Sequence, residues 1–337
     1  MKNNWIGKNG PLLIAEIGGN HEGNFSYAKK LVMLAIKSGV DIVKLQLYTG
    51  STLISKVESK VRFKHFKKFE LSKKEHIYLA SMCRSHKVKY LASVWDLEML
   101  NWIDKYLNYY KIGSGDLTAY PIIKEFALRG KPIILSTGLS NISEIKKTIK
   151  FIQNQNSKYK NKNNLAILQC TSTYPTNDEE INLNCLKTLK DQTRMTVGYS
   201  DHSFGDLALK AAYVKGAEVM EFHFTDTRKN KKFRDHKISL TSNETISLIQ
   251  DISRLKKLMG SNLKYPTKNE KKSGHITSFR RGVYSNKILN YGDIIKMKDL
   301  VFLRPNHGVD ARYYKKIIGK RVTKKTKAFE KLSFKNV

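Results

Sequence analysis

Cysteine is scarce in this chain. Its 337 residues hold three, Cys83, Cys170 and Cys185, an odd number with no metal-type spacing. That excludes a disulfide framework and points to a reducing, cytoplasmic compartment. No apolar run approaches the roughly 18 residues of a membrane span. The opening Met1-Lys2-Asn3-Asn4-Trp5 has no apolar h-region behind its lysine, so neither a membrane nor a secretory route is expected. Acidic residues are in deficit, with 29 Asp and Glu against 62 Lys and Arg and a formal net charge of +33. Such a surplus invites a nucleic-acid reading. The lysines are nevertheless spread along the chain, as in Lys29-Lys30, Lys67-Lys68, Lys73-Lys74, Lys146-Lys147 and Lys256-Lys257. They flank apolar helical stretches and form no basic stripe interleaved with aromatics, so no nucleic-acid partner is expected. The positive field would still draw in an anionic substrate such as a phosphate ester.

What the chain does have is an alternation of short β-branched runs with amphipathic stretches of helical length, the pattern of an α/β fold with parallel strands. Eight strands are expected: Leu12–Ile17, Asp41–Tyr48, Tyr90–Val94, Tyr109–Ile112, Pro132–Ser136, Leu165–Cys170, Thr196–Tyr199 and Glu218–Phe224. Helices are expected at Tyr27–Lys37, Lys73–His86, Pro121–Leu128, Ser143–Ile152, Asp206–Val214 and Glu244–Met259. Asn24 or Ser26 can cap the first of these, whereas Ser143 with Lys146 lacks the acid of a capping box. Eight strands, most followed by a helix, favour a closed (β/α)8 TIM barrel over an open doubly wound sheet. The barrel is expected over residues 1–260, followed by a polar linker at 261–280 that contains Pro266 and Gly274. A small β-rich domain then fills 281–337, with turn signals at Tyr291-Gly292-Asp293 and Asn306-His307-Gly308.

Polar residues gather at the C-terminal ends of the expected strands, which in a barrel is the active-site face. Glu16 interrupts the apolar first strand, and a carboxylate buried there must be paired or functional. Alternation puts Lys44 and Gln46 on one face of the second strand, and Glu221, His223 and Thr225 on one face of the last, with Phe222 and Phe224 turned toward the helices. His202 ends the neighbouring strand, so His202 and His223 converge where two neutral imidazoles can hold a divalent metal, with water or substrate completing its shell. Lys111-Ile112-Gly113-Ser114-Gly115-Asp116 and Leu135-Ser136-Thr137-Gly138 place hydroxyls and glycine amides at strand ends. They form either an anion cradle neutralised by Lys44 and Lys111 or simply tight βα turns.

Together with Ala15–Gly23, Lys44-Leu45-Gln46, Cys170–Thr176, Gly198–His202, His223-Phe224-Thr225, Asp235-His236-Lys237 and Arg304-Pro305, these segments resemble the N-acetylneuraminate (sialic acid) synthase family over nearly the whole chain. The C-terminal portion resembles that family's antifreeze-like domain, a β-clip module also called SAF. The resemblance implies a metal-dependent transferase that condenses phosphoenolpyruvate with an N-acyl hexosamine, N-acetylmannosamine being favoured. Legionaminic or pseudaminic acid synthases acting on a 2,4-diacetamido-6-deoxy hexose are the sibling alternative. It implies that His202 and His223 hold Mn2+ or Mg2+, and that Lys44, Lys111, Ser114, Ser136 and Ser200 hold phosphoenolpyruvate. Gln46, Tyr174, Asp235 and Arg304 would recognise the sugar, with Arg304 reaching in from the partner of a domain-swapped homodimer. Glu16 or Asp116 would handle the proton of the attacking water.

The chain departs from the family pattern at four places. Val94 stands where threonine is frequent, which would remove one hydroxyl contact to phosphoenolpyruvate. Asp116 replaces glutamate, Ser172 an asparagine and Phe222 a basic residue. A Schiff-base aldolase using Lys44 or Lys111 is the rival from a different enzyme class.

Overall fold

The structure is a computed structural model that describes residues 3–337. The chain divides into two compact units, Met1–Gly260 and Ser261–Val337.

In the first unit eight parallel strands follow one another around a closed sheet: β1 (Gly10–Gly18), β2 (Ile42–Leu47), β3 (Lys89–Val94), β4 (Tyr110–Ile112), β5 (Ile133–Ser136), β6 (Leu165–Cys170), β7 (Thr196–Asp201) and β8 (Val219–His223). Pairing of β1 with β8 closes the barrel. The connecting helices are α1 (Phe25–Lys37), α2 (Lys73–Ser85), α3 (Leu97–Ile103), α4 (Tyr120–Arg129), α5 (Ile142–Gln155), α6 (Cys185–Thr193), α7 (Leu207–Val214) and α8 (Ser242–Met259).

Period-two alternation sorts every strand into two layers. Leu13, Ala15, Val43, Leu45, Phe222 and Phe224 join the outer core beneath the helices. Leu12, Ile14, Ile42, Leu91, Ile134, Ala166, Leu168 and Val219 fill the inside of the barrel. Trp5, 1% exposed, joins that inner layer with its indole N–H donated to the Lys162 carbonyl at 2.8 Å. Continuing each inner row by two or four residues reaches Glu16, Lys44, Gln46, Ser93, Ser136, Cys170, Ser200, Glu221 and His223. The same pleat that packs the base therefore delivers polar groups to the mouth. Gly198 lies where β6, β7 and β8 crowd, and a Cβ there would overlap the Val219 carbonyl oxygen and the Leu168 side chain.

Strand and helix positions agree with the sequence reading to within a few residues, with two corrections. Helix α5 does carry a capping box: Asn141, two residues before the expected start, is the N-cap, and Glu144 at N3 returns a hydrogen bond of 2.9 Å to its backbone N–H. Helices α3 and α6 were not expected. Among the capping options for α1, Asn24 is the cap, accepting from Tyr27 N at 2.9 Å. The long β2–α2 connection carries two short helices, Gly50–Leu53 and Lys60–Lys68.

In the second unit, β9 (Gly282–Ser285) and β10 (Leu300–Leu303) pair antiparallel. Val283, Leu289, Ile295, Leu300, Val309, Ile317, Val322 and Leu332 form its core. The stretch expected as a bare linker holds helices Lys268–Lys272 and His275–Ser278. Charge is less evenly spread than the lysine pairs suggested. This unit has 20 basic and 5 acidic residues in 77 positions, a net +15, against 42 basic and 24 acidic, a net +18, in the first 260.

Candidate active site

A cavity of about 480 Å³ opens at the C-terminal ends of the barrel strands and is lined by residues of the first unit alone. At its floor, Lys44 and Lys111 are buried with Glu16 and Glu221. Lys44 Nζ lies 2.7 Å from Glu16 Oε2 and 3.8 Å from Glu221 Oε1, and Lys111 Nζ lies 3.5 Å from the same Glu221 oxygen. The Lys44–Glu16 contact is a buried ion pair.

Two ammoniums and two carboxylates balance, and the pKa shifts follow from that balance. Burial would discharge Lys44, but Glu16 and Glu221 outweigh it and hold the ammonium above its ordinary value. Burial and the charge of Lys44 win at Lys111, whose pKa is lowered despite Glu221. Burial raises Glu16 against the pull of Lys44. Burial acts the same way on Glu221, but the two lysines overcome it and keep that carboxyl low.

Hydroxyls surround this charged floor. Lys111 donates to Ser136 Oγ at 2.8 Å, Ser200 donates to Glu221 Oε1 at 3.2 Å, and Ser114 Oγ accepts from Gly138 N at 3.0 Å. Lys44 also reaches Ser93 Oγ at 3.5 Å. Val94, where the sequence reading expected a missing hydroxyl, packs in the outer core, while Ser93, one residue earlier, faces the cavity.

The histidines stand above the lysines, with ring centroids 5.4 Å apart. His202 Nδ1 donates to the Thr171 carbonyl at 2.7 Å, which leaves Nε2 as the free lone pair. His223 Nδ1 is buried without a hydrogen-bond partner, and Asp235 Oδ2 is 3.8 Å away. Burial, reinforced by His202 and Lys44, drives the His223 pKa well down, so this imidazole is neutral. Burial opposes charge on His202 and Cys170 alike, yet at 3.8 Å the imidazole lowers the thiol and the thiol raises the imidazole. Among the described residues no group of three or more His, Cys, Asp and Glu side chains is arranged to hold a metal ion. The donor set nevertheless fits a cation that takes two protein nitrogens and completes its shell with oxygens from substrate and water.

The remaining predicted residues fall around this centre. The Tyr174 ring packs 4.0 Å from that of His202, and Gln46 Nε2 lies 3.4 Å from Glu16 Oε1. Burial raises the pKa of Asp235 against the pull of the adjacent Arg234. Asp116 lines the wall half-buried, also raised by burial against a Trp95 hydrogen bond. Arg304 belongs to the second unit, its guanidinium 5.9 Å from the Phe279 ring. Sequence reasoning put Glu221 on the face of His223 without giving it a role, and missed Ser93, Cys170 and Arg234. Alternation carried the signal for Ser93 and Cys170, since each continues an inward-facing row; nothing in the sequence marked Arg234.

A closed (β/α)8 barrel with a cavity of charged and polar side chains at the C-terminal ends of its strands is a scaffold for an enzyme. Residues 31–264 match the NeuB family, and the chain belongs to it. It is 34% identical over 332 residues to the N,N'-diacetyllegionaminic acid synthase of Campylobacter jejuni, covering 95% of this chain and 98% of that protein. It is 28% identical over 330 residues to the pseudaminic acid synthase of the same organism, covering 94% and 93%. The crystal structure of the N-acetylneuraminic acid (sialic acid) synthetase of Leptospira borgpetersenii in complex with citrate shares its fold with a TM-score of 0.72 at 29% identity, over 80% of this chain and 92% of that one. Among the described residues no helix is long and apolar enough to cross a membrane.

Proposed function

We propose that this enzyme condenses phosphoenolpyruvate with an N-acyl hexosamine to give a nonulosonic acid and phosphate. The observation that carries the reading is the pair of buried lysines sharing Glu221 directly beneath two histidines. Lys44 and Lys111 would neutralise the phosphate and carboxylate of phosphoenolpyruvate, while Ser93, Ser114, Ser136 and Ser200 donate to its oxygens. Mn2+ or Mg2+ held by His202 and His223 would supply Lewis acidity to the aldehyde oxygen of the open-chain sugar. Gln46, Tyr174 and Asp235 would orient that sugar from the cavity wall.

Carbon 3 of phosphoenolpyruvate forms the new bond to the aldehyde carbon, whose oxygen takes up a proton. Water adds at carbon 2, and the resulting tetrahedral centre expels phosphate by C–O cleavage to leave the keto acid. Glu16 is the base that takes the water's proton in this reading: burial raises its pKa against the pull of Lys44, beside which it stands. Asp116 is the alternative, and comparing Glu16→Gln with Asp116→Asn separates the two. The second unit would be an antifreeze-like (SAF) domain that brings Arg304 to the sugar site of a second copy in a homodimer.

The sugar is N-acetylmannosamine or a 2,4-diacetamido-6-deoxy hexose; the 34% identity to a legionaminic acid synthase favours testing the latter alongside the former. The deciding experiment is phosphate release from phosphoenolpyruvate with Mn2+ and each sugar in turn. Turnover that vanishes with EDTA and in His223→Ala supports the reading, the accepted sugar names the branch, and no release with either sugar overturns it. The lowered pKa of Lys111 is the property a Schiff-base aldolase would use. Borohydride trapping of a lysine–substrate adduct would replace the synthase reading with that one.

A further inference from the structure

The turn after β1 and the loop after β8 are fastened to each other by hydrogen bonds that lie outside the cavity lining. The chain leaves β8 at Thr225, makes an excursion, and comes back to the strand end at Leu240. There Leu240 N donates to the His223 carbonyl at 2.8 Å and Thr225 N to the Leu240 carbonyl at 2.9 Å. Within the excursion Phe233 joins a ring cluster with His65 and Phe69, at centroid distances of 5.7 and 5.0 Å. The return limb is one short helical turn, Asp235–Ile238, and its first residue brings a buried carboxylate to within 3.8 Å of His223.

Three side chains grip that limb. Asn20 is buried, and its Nδ2 donates to the Phe224 carbonyl at 2.9 Å and to Ser239 Oγ at 2.8 Å. Ser239 Oγ in turn donates to the Asp235 carbonyl at 2.7 Å, so Asn20 reaches the backbone of Asp235 through one hydroxyl. His236 is buried as well and pairs on both ring nitrogens. Its Nε2 lies 3.2 Å from Glu22 Oε1, and its Nδ1 lies 2.7 Å from Thr225 Oγ1. Burial and the nearby Lys231 lower its pKa, which leaves the ring neutral. A carboxylate only accepts, so Nε2 donates to Glu22 and Nδ1 accepts from the Thr225 hydroxyl.

Apolar packing alone could hold two buried segments together, and burying polar groups costs free energy unless each is bonded. What the hydrogen bonds add is direction. The Asp235 carboxylate needs it, because its own anchor is loose: it accepts at 3.2 Å from Arg234 Nε, on a side chain that is 66% exposed. Where the carboxylate stands is therefore set by the backbone on either side of it. We propose that Asn20, Glu22 and His236 are positioning residues, a clamp from the β1 turn that holds the return limb of the β8 loop so that the Asp235 carboxylate stays beside His223. The inference goes beyond the condensation reading and rests on it only for the use made of Asp235 and His223 in the reaction.

Glu22 is the member to remove, because its side chain is 35% exposed and its loss leaves no hole in the core. The test is amide hydrogen exchange and calorimetric Mn2+ titration of the full-length protein, Glu22→Ala, Glu22→Gln, Asp235→Asn and the double variant Glu22→Ala/Asp235→Asn. In Glu22→Ala the amides of residues 236–240 should exchange roughly tenfold faster while the barrel strands keep their protection, as expected when one charge-assisted hydrogen bond to a local unit is lost. Mn2+ affinity should fall by on the order of tenfold, and by less than about twofold when the same change is made on Asp235→Asn, whose carboxylate is already gone. Glu22→Gln keeps an acceptor for Nε2 and should recover most of both losses. Exchange that is unchanged at residues 236–240, or that rises throughout the barrel, would overturn the clamp. So would Mn2+ losses that simply add in the double variant, a Glu22→Gln as impaired as Glu22→Ala, or a parent that takes up no Mn2+. Phosphate release measured alongside keeps the two readings apart. Intact coupling between Glu22 and Asp235 without release from any sugar removes the condensation and leaves the clamp; release with additive losses removes the clamp alone.

Discussion

His223 Nδ1 lies 3.8 Å from Asp235 Oδ2, too far for a hydrogen bond, and this buried nitrogen has no other hydrogen-bond partner among the described residues. An imidazole kept neutral by burial has one lone pair to offer a cation. Calorimetric titration of the metal-free protein with Mn2+ is expected to show one site per chain. His223→Ala should abolish it, and Asp235→Asn should weaken it by roughly tenfold as the neighbouring carboxylate is neutralised. Unchanged binding in His223→Ala would remove the histidine pair from the metal site.

The inner rows show how far the sequence could be read. Leu12, Ile14 and Glu16, or Val219, Glu221 and His223, announce by simple alternation that an apolar base gives way to a polar mouth, so the floor is legible in the sequence. Val94 misled because likeness to a family pattern aligns positions, while the pleat decides faces: Val94 turns to the outer core, and Ser93, two residues after Leu91 on the inner row, faces the cavity. Arg234 and the ring cluster were illegible for a different reason. His65 and Phe69 lie some 170 residues before Phe233 along the chain. His65 lies on the short helix Lys60–Lys68 and Phe233 in the loop after β8, and no periodicity records that the two meet.

Glu221 holds the two lysines together, and its removal should show in stability before activity. Glu221→Gln leaves Lys44 and Lys111 buried with Glu16 as the remaining acid of the floor. Breaking a buried pair in this way costs on the order of 3 kcal/mol. Urea unfolding should reveal that loss, and inorganic phosphate should recover more stability in the variant than in the parent by supplying the missing negative charge. A variant as stable as the parent would mean that Glu221 does not balance the lysines.

Three further buried histidines, His21, His76 and His236, lie outside the cavity lining, and burial lowers the pKa of each. Burial lowers His21 to about 4 and His76 to about 3, the latter with its Nδ1 2.7 Å from Tyr90 Oη. Both values lie below the unfolded value of about 6.5. Above pH 6.5 both states are neutral and nothing is lost; below it the unfolded chain takes up protons that the folded one refuses, so stability falls toward pH 4. At pH 5 the loss is about 2 kcal/mol for each histidine. Urea unfolding at pH 7.5 and pH 5 should show it, and the difference between the two should shrink by about 2 kcal/mol in His76→Gln. An identical pH dependence in that variant would exclude His76 as a source.

Two glycines in the barrel should respond oppositely to one added methyl group. At Gly198 a Cβ would overlap the Val219 carbonyl oxygen, which is backbone and cannot yield without parting β7 from β8. Gly198→Ala should therefore cost about 3 kcal/mol or prevent folding. Gly115, in the turn after β4, has nothing within 4 Å of an added Cβ, and Gly115→Ala should leave the thermal midpoint within about a degree of the parent. Equal effects at the two positions would contradict the packing described for the β6–β7–β8 contact.

The assignment of Arg304 to the sugar site of a second copy can be tested by mixing two inactive proteins. Arg304→Ala keeps the lysine floor and loses the guanidinium; Lys44→Ala keeps the guanidinium and loses the floor. If Arg304 acts across a homodimer, co-refolding equal amounts gives mixed dimers in which one barrel has both an intact floor and an intact partner arginine. With half the dimers mixed and one of their two sites complete, activity should return to roughly a quarter of the parent's. If Arg304 acts within its own chain, every barrel in the mixture lacks one group and the activity stays at the level of the separate variants. Sedimentation of the same samples distinguishes that outcome from a failure to form mixed dimers, and a monomer in every sample would withdraw the role of Arg304 in trans.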